Sequence, residues 1–203
     1  LFIDEIHRLS RTVEEFLYAA MEDFRVDFTI DRGISGRTVN IALPRFTLIG
    51  ATTRSGLLTP AMRDRFGLQF HFDFYSKTEL AEIVRRSARK LKVQADEDAV
   101  GLIAARSRGT PRVANRLLRR TRDYAQVRGD GTLSHKIVDQ ACEILQVDAL
   151  GLDDLDRSLL KSLIRTYSGG PAGIEALAAT LGEERDTLED VVEPYLLQIG
   201  FMI

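Results

Sequence analysis

The residues Leu1-Phe2-Ile3-Asp4-Glu5 decide the fold, because they form an apolar run that ends in two adjacent carboxylates. Short apolar runs of this kind are typical of strands in the interior of a sheet. A strand that ends in Asp-Glu has two interpretations. The acidic pair either closes an ordinary buried strand or holds a chemical site at the strand's carboxyl end.

The chemical interpretation is nucleotide hydrolysis. In enzymes of this kind, a buried parallel strand brings an Asp near Mg²⁺, and the next carboxylate polarises the attacking water. The usual partner of such a pair, a phosphate-binding loop of the form Gly-x-x-x-x-Gly-Lys-Ser/Thr, does not occur in the 203 residues. The rest of the chain must therefore decide between the two interpretations.

Composition sets wide bounds. A chain of 203 residues with 44% hydrophobic content forms either one large domain or two to three small ones. The formal charge of -2 gives no general attraction to nucleic acid or membranes. The sequence has neither a long apolar run nor a signal segment, and its one cysteine, Cys142, fits a reducing cytoplasm. Leu1 and the apolar run before Ile203 lead us to expect that both ends are cuts in a longer protein.

The first block, residues 1–76, has the pattern of an α/β domain. Apolar residues on one helical face predict a helix over Val13–Met21. Alternation over Arg25–Leu43, around the turn residues Asp31–Gly36, predicts a β-hairpin. Phe46–Gly50 is predicted as a second buried strand, so that a central parallel sheet is expected.

The second block, residues 77–147, is predicted to contain four helices. Ser76 and Glu79 have the spacing of a capping box at the start of the first helix. Thr110-Pro111 predicts an N-cap followed by Pro at the first helical position. The predicted helices cover residues 77–91, 96–106, 111–127 and 134–147.

The third block, residues 150–203, is predicted to contain a helix over 154–167, a short helix over 173–181 and a longer one over 184–198. This order is typical of a helix-turn-helix unit. An ordinary three-helix bundle is the alternative.

Three polar motifs lie where a phosphate could be bound. Thr52-Thr53 follows the second predicted strand, Arg63-Asp64-Arg65 ends a short helix, and Arg112 lies in the first turn of a helix, where it opposes the helix dipole. Each motif also has an ordinary explanation: a turn, a solvated helix end, or a salt bridge.

The order of these motifs carries more information than any one of them. Leu1 to Leu9, then Gly50-Ala51-Thr52-Thr53-Arg54, Arg63-Asp64-Arg65-Phe66-Gly67 and Gly109-Thr110-Pro111-Arg112 closely resemble the RuvB family of AAA+ motors. Members of that family are hexameric ATPases that drive branch migration of Holliday junctions. The resemblance extends to the third block, through Gly182 to Thr187.

The resemblance implies a fold and a set of roles. The fold is part of an α/β P-loop NTPase (AAA+) large domain over 1–76, an all-α small domain over 77–147 and a truncated winged-helix head over 150–203. Asp4 coordinates Mg²⁺ through water, Glu5 activates the attacking water, and Thr53, or less favourably Thr52, is the first sensor. Arg65 is the arginine finger offered to the adjacent subunit. The further residues implied to contact the nucleotide are Glu22, Asp23, Phe24, Tyr75 and Arg112, the last as second sensor.

The same resemblance implies ATP and Mg²⁺ as cofactors and a homohexamer in the cytoplasm. Its partners would be RuvA, docked on Val39 and Ile41 of the hairpin, a RuvC-type resolvase complex, and Holliday-junction and duplex DNA. The 203 residues alone, without a phosphate-binding loop, are expected to be inactive. Two alternatives stay open, namely another AAA+ ATPase such as a clamp loader or initiator, and a non-catalytic DNA-binding or adaptor module.

The remaining histidines and basic residues receive ordinary interpretations. His7, His71 and His135 have no metal-ligand spacing. The arginines between 116 and 122 are expected to form a solvated or ion-paired helix face rather than a DNA contact.

Overall fold

A computed structural model describes residues 1–29 and 38–203 of the chain. The hairpin turn predicted at Asp31–Gly36 lies outside the described residues. The chain divides into two compact units, Leu1–His71 and Phe72–Ile203.

Among its described residues, the first unit contains two small sheets and two α-helices. β1 pairs with β4 in parallel, with Phe2 opposite Ile49 and Ile3 opposite Gly50. β2 and β3 pair antiparallel, from Arg25 opposite Ala42 to Thr29 opposite Thr38, which confirms the predicted hairpin strands. The elements are β1 (Phe2–Ile3), α1 (Arg11–Asp23), β2 (Arg25–Thr29), β3 (Thr38–Ala42), β4 (Ile49–Gly50) and α2 (Pro60–Asp64).

The prediction that β1 and β4 are buried was wrong. Phe2 is 61% exposed and Ile49 is 56% exposed. Within the described part of the chain, these two strands form a two-stranded sheet of their own, so that no further strand pairs with either of them. The predicted parallel pairing is nevertheless present, and it brings the carboxyl ends of both strands to one edge.

In the second unit, the helical block consists of α3 to α6 around one apolar core. The predicted capping box is confirmed: the Glu79 backbone N–H donates to Ser76 Oγ, and the Ser76 backbone N–H donates to Glu79 Oε2. Thr110, in contrast, makes no capping bond through its side chain, because its hydroxyl donates to the Ser107 carbonyl instead. The helices are α3 (Lys77–Lys90), α4 (Glu97–Ala105), α5 (Pro111–Arg128) and α6 (His135–Ile144).

The C-terminal block of the second unit has its own core, built around Leu159, Leu177, Leu188 and Leu196. The last predicted helix is interrupted, because the residues Leu188–Val192 form a π-helical turn. Its helices are α7 (Asp154–Arg165), α8 (Ile174–Leu181), α9 (Arg185–Thr187) and α10 (Glu193–Gln198). None of the helices within the described ranges is both long and apolar enough to cross a membrane.

Candidate nucleotide site

Glu5 lies at the edge where the two parallel strands end. Its backbone is left-handed, with φ of 47°, a conformation that non-glycine residues adopt rarely and that is frequent at functional sites. The next residue, Ile6, is buried and donates its backbone N–H to the Ala51 carbonyl at 3.0 Å. The turn after β1 is thereby attached to the turn after β4.

Glu5 and Thr53, two of the predicted catalytic residues, meet at this edge. The Thr53 backbone N–H donates to Glu5 Oε2 at 3.3 Å, and the Thr53 hydroxyl donates to the same oxygen at 3.2 Å. These two hydrogen bonds fix the orientation of the carboxylate. The hydroxyl of Thr52, the alternative sensor, accepts a hydrogen bond from the Arg54 backbone N–H and lies beside His7.

His7 belongs to the same cluster, although no role was predicted for it. Its Nδ1 lies 2.7 Å from Thr52 Oγ1 and 3.2 Å from Glu5 Oε2, and only 7% of its side chain is exposed. The signal in the sequence was the position of His7, two residues after Glu5 in the same turn. Metal-ligand spacing does not indicate such a position, because the ring contacts a hydroxyl and a carboxylate.

Asp4 is exposed and fits the role of a magnesium ligand. Its Oδ1 accepts the Glu5 backbone N–H at 3.1 Å, and Oδ2 makes no hydrogen bond to any described residue. Residues 1–29 and 38–203 contain no group of three His, Cys, Asp or Glu side chains that would hold a metal ion by themselves. Mg²⁺ keeps several water ligands and binds through one or two carboxylates together with phosphate oxygens, so one Asp can serve as its protein contact.

The predicted arginine finger, Arg65, contacts residues of its own unit. Its Nη2 lies 2.8 Å from Glu22 Oε1, and its Nη1 donates to the Ala61 carbonyl at 2.7 Å. The guanidinium carbon is 4.3 Å from the centre of the Tyr18 ring. Arg65 Nε is buried and finds no acceptor among the described residues. The structure thus brings Arg65 together with Glu22, one of the predicted nucleotide contacts.

The two residues after Glu22 lie at the end of α1. Asp23 pairs with Arg25 at 3.2 Å. Phe24 has a left-handed backbone, with φ of 53°, and its ring packs edge-on against Phe46. Phe24 also helps to line a cavity together with Arg65.

Tyr75 and Arg112 belong to the second unit. The Tyr75 backbone N–H donates to the Gly109 carbonyl at 2.9 Å, while its side chain is exposed. Arg112 is exposed in the first turn of α5 and has no hydrogen bond or ion pair with a described residue. A guanidinium without a partner at a helix N-terminus is free to bind an anion.

Val39 and Ile41, the predicted docking residues, lie on one face of β3. They stand opposite Phe28 and Val26 on β2. Ile41 is 47% exposed and Phe28 is 43% exposed, and the Phe28 ring contacts Phe16 of α1. An apolar surface therefore remains open on this side of the hairpin.

Three family models match the chain in succession. The model described as Holliday junction DNA helicase RuvB P-loop domain matches residues 1–72. The RuvB AAA lid domain matches residues 75–148, and the RuvB C-terminal winged helix domain matches residues 149–203. These matches confirm the predicted fold class, and they favour a winged helix over the alternative of a simple three-helix bundle.

Individual relatives agree with the family models. The Holliday junction branch migration complex subunit RuvB of Salinibacter ruber is 58% identical over 202 residues, with 100% of this chain and 59% of that protein covered. The corresponding protein of Kosmotoga olearia is 55% identical over 203 residues, with the same coverage. The structure of the Thermotoga maritima RuvB Holliday junction branch migration motor has a TM-score of 0.86 at 50% identity, covering 100% of this chain and 63% of that one. The chain thus spans less than two thirds of the length of these relatives.

Proposed function

The chain belongs to the RuvB family, and from this membership we propose that it is part of an ATP-driven motor that moves Holliday junctions. The observation that carries the proposal is the cluster at the end of the parallel strands, where Thr53 holds the Glu5 carboxylate with two hydrogen bonds. A carboxylate with a fixed orientation is what a general base for an attacking water requires.

In the proposed mechanism, Glu5 accepts the proton of the attacking water at one of its carboxylate oxygens. Thr53 and His7 hold that carboxylate in place, since both contact Glu5 Oε2. Asp4 would be the residue that holds Mg²⁺, and the bound ion would supply positive charge against the phosphates of ATP. Asp4 is exposed and lies next to Glu5, which supports separate roles for the two carboxylates, the metal contact for Asp4 and the general base for Glu5.

The proposed roles of the remaining site residues follow the family. Arg65 leaves Glu22 and stabilises the charge on the phosphate held by an adjacent subunit of a homohexamer. Arg112 acts as the second sensor, and Tyr75, Glu22, Asp23 and Phe24 contact the nucleotide. The free guanidinium of Arg112 supports its role, because nothing in the described part of the chain neutralises it.

The proposed organisation assigns residues 1–76 to the large ATPase domain, 77–147 to the small helical domain and 150–203 to the winged-helix head. RuvA docks on Val39 and Ile41, and the exposed apolar surface of the hairpin supports this role. We further propose that the protein acts on Holliday-junction and duplex DNA and works with a RuvC-type resolvase complex. The proposed location is the cytoplasm.

The decisive experiment uses a fusion of this chain with the segments of the Salinibacter ruber relative that lie outside the matched region. We call this fusion the extended protein. With RuvA, ATP and Mg²⁺, this protein is expected to dissociate a four-way DNA junction. Glu5→Gln should still bind ATP but should lose hydrolysis by at least ~10²-fold, because an amide does not accept the proton. Junction dissociation should stop with it.

Two outcomes would contradict the proposal. Turnover by Glu5→Gln within a few-fold of the parent would remove the role given to Glu5. DNA binding by the parent without any ATP hydrolysis would favour the alternative of a non-catalytic DNA-binding module.

A further inference from the structure

The two cores of the second unit are separate, and a buried ion pair joins the elements that carry them. The apolar core of α3 to α6 shares no residue with the apolar core of the C-terminal block, within the described part of the chain. Between them, Arg108 Nη2 lies 2.8 Å from Asp156 Oδ1. Both side chains are buried, with 7% of Arg108 and 0% of Asp156 exposed.

Arg108 makes further contacts, all with the C-terminal block. Its Nη2 donates to the Val191 carbonyl at 3.3 Å, within the π-helical turn, and its Nη1 lies 3.7 Å from Asp153 Oδ2. Its guanidinium carbon is 4.7 Å from the centre of the Tyr195 ring, and the Tyr195 hydroxyl donates to the Leu150 carbonyl. One side chain of the helical block thus contacts residues at both ends of the C-terminal block.

Asp156 is itself fixed in place. It lies in the first turn of α7, where its Oδ2 accepts the Asp153 backbone N–H at 2.7 Å. Burial raises the pKa of Asp156, against the opposing influence of the Asp153 N–H and the Arg108 guanidinium. A carboxylate in such surroundings needs its partner, because removal of one member leaves the other charge buried and unpaired.

The backbone segment that contains Arg108 also contacts Tyr75 and includes Arg112, two of the predicted nucleotide contacts. Arg108 and Gly109 are both left-handed, with φ of 53° and 68°. A Cβ on Gly109 would lie 2.7 Å from Phe74 Cβ, and the Gly109 carbonyl accepts the Tyr75 N–H. Arg112 follows one turn later in the first turn of α5. The segment 107–112 therefore touches the C-terminal block through one side chain and the vicinity of Tyr75 through its backbone.

We propose that Arg108 is a positioning residue that makes the helical block and the C-terminal block move as one body, through its buried pair with Asp156. The inference rests on the proposed function in one respect, namely that nucleotide exchange at Arg112 and Tyr75 displaces the segment 107–112. The C-terminal block then moves with this segment, because the Arg108 side chain is bound to it.

A second pair of the same kind provides the control. Arg106 Nη2 lies 2.7 Å from Asp139 Oδ1, and 9% of the Arg106 side chain is exposed. Both of its members lie in the helical block. Asp139→Asn therefore removes an Arg–Asp pair of similar length, with a carboxylate that is 44% exposed, and it does so within the helical block. Asp156→Asn removes the pair that spans the two blocks.

The first measurement is made on the chain itself. Spin labels on cysteines introduced at Gln126 and Ala179, both exposed, report the distance between the two blocks, while Cys142 is buried and stays unlabelled. Asp156→Asn should broaden the distance distribution, and Asp139→Asn should leave it as in the parent. Arg108→Lys keeps the charge but loses the planar contact with Tyr195, so its distribution should be intermediate.

If circular dichroism shows that Asp156→Asn has less helix than the parent, Arg108→Lys is used for the test in its place. A distribution as narrow as the parent's in every folded variant of Arg108 and Asp156 would overturn the proposal.

The second measurement uses the extended protein with RuvA and a four-way junction. Asp156→Asn should hydrolyse ATP at the parental rate but move junctions about tenfold more slowly, within the range expected for residues that couple distant sites. An equal loss of hydrolysis and migration would overturn the proposed coupling between the blocks. The effect of the variant would then lie in the nucleotide site alone. Failure of the parent to move junctions would count against the proposed function, while the distance measurement would still decide whether the pair holds the blocks together.

Discussion

At the scale of single residues, the role proposed for Arg65 requires that its side chain be released from its own unit before it acts on a neighbouring subunit. It is held by an ion pair with Glu22 and by the Tyr18 ring. A partly exposed ion pair contributes up to about 1 kcal/mol, and the ring contact adds a similar amount. In the proposed mechanism, binding to a phosphate in a neighbouring subunit would offset a cost of this size.

Arg65→Ala in the extended protein is therefore expected to abolish ATP hydrolysis and to leave nucleotide binding intact, because the guanidinium acts across the subunit boundary. The test is hydrolysis by rings that contain both Arg65→Ala and Glu5→Gln subunits. Some interfaces in these rings carry an intact Glu5 opposite an intact Arg65, and partial activity should return. Mixed rings that form, by mass measurement, and stay inactive would argue that Arg65 acts within its own subunit.

Single residues also differ in how well the sequence predicts them. The meeting of Glu5 and Thr53 was predictable, because both follow parallel strands whose carboxyl ends share one edge. The pair between Arg108 and Asp156 was not predictable, because its members are 48 positions apart and their burial depends on how the C-terminal block packs against Arg108. His7 was missed for a related reason, since its burial depends on the turn after β4.

At the scale of elements, the hairpin β2–β3 offers a test of partner binding. Val39→Asp together with Ile41→Asp should remove RuvA binding and junction migration while basal ATP hydrolysis continues. Two apolar anchors contribute roughly 1.5 to 3 kcal/mol each, and charging them costs more. Co-elution with RuvA is the measurement.

Ala42→Asp is the matched control for the hairpin. Ala42 is exposed on the opposite face of β3 and stands across from Arg25, so a carboxylate there is tolerated. Unchanged RuvA co-elution in the double variant would exclude this face as the docking surface.

The joint between the helical and C-terminal blocks offers a test of stability. Gly151 has φ of +82°, and a Cβ there would lie 2.6 Å from the Arg106 carbonyl oxygen. Gly151→Ala should therefore lower the free energy of unfolding, measured with denaturant, by more than the roughly 1 kcal/mol that a left-handed alanine costs.

Gly131→Ala separates the two contributions to that loss. Gly131 has φ of +87° and no atom within 4 Å of an added Cβ, so this variant carries the backbone strain alone. Equal losses in the two variants would show that the close approach at Gly151 relaxes freely.

Elements whose determinants are local in the sequence were predicted better than those that depend on distant residues. The capping box at Ser76 involves residues three apart, and the structure has it. The π-helical turn at Leu188–Val192 was not predicted, because the apolar spacing of the segment resembles that of a regular helix. The exposure of β1 and β4 depends on which strands lie beside them, which a local pattern does not contain.

At the scale of the whole molecule, the two units should differ in stability. The helical block buries a continuous core, including Leu80, Val84, Leu118 and Val138, whereas β1 and β4 leave their apolar side chains open. Hydrogen exchange of the chain should thus be slow over residues 77–147 and fast over residues 1–60. Exchange rates in denaturant give the reference for unprotected amides. Uniform protection across both segments would contradict this expectation.

The buried pair between Arg108 and Asp156 also constrains how relatives of this chain can be recombined. A crossover between residues 109 and 155 takes the two charges from different parents, whereas a crossover upstream of 108 or downstream of 156 inherits them together. A chimera that receives an acid on one side and no base on the other carries an unpaired buried charge, whatever its overall identity to either parent. The loop between the two blocks, although exposed at Ala149 and Leu150, is therefore an unsafe site for exchanging heads unless both members of the pair are transferred.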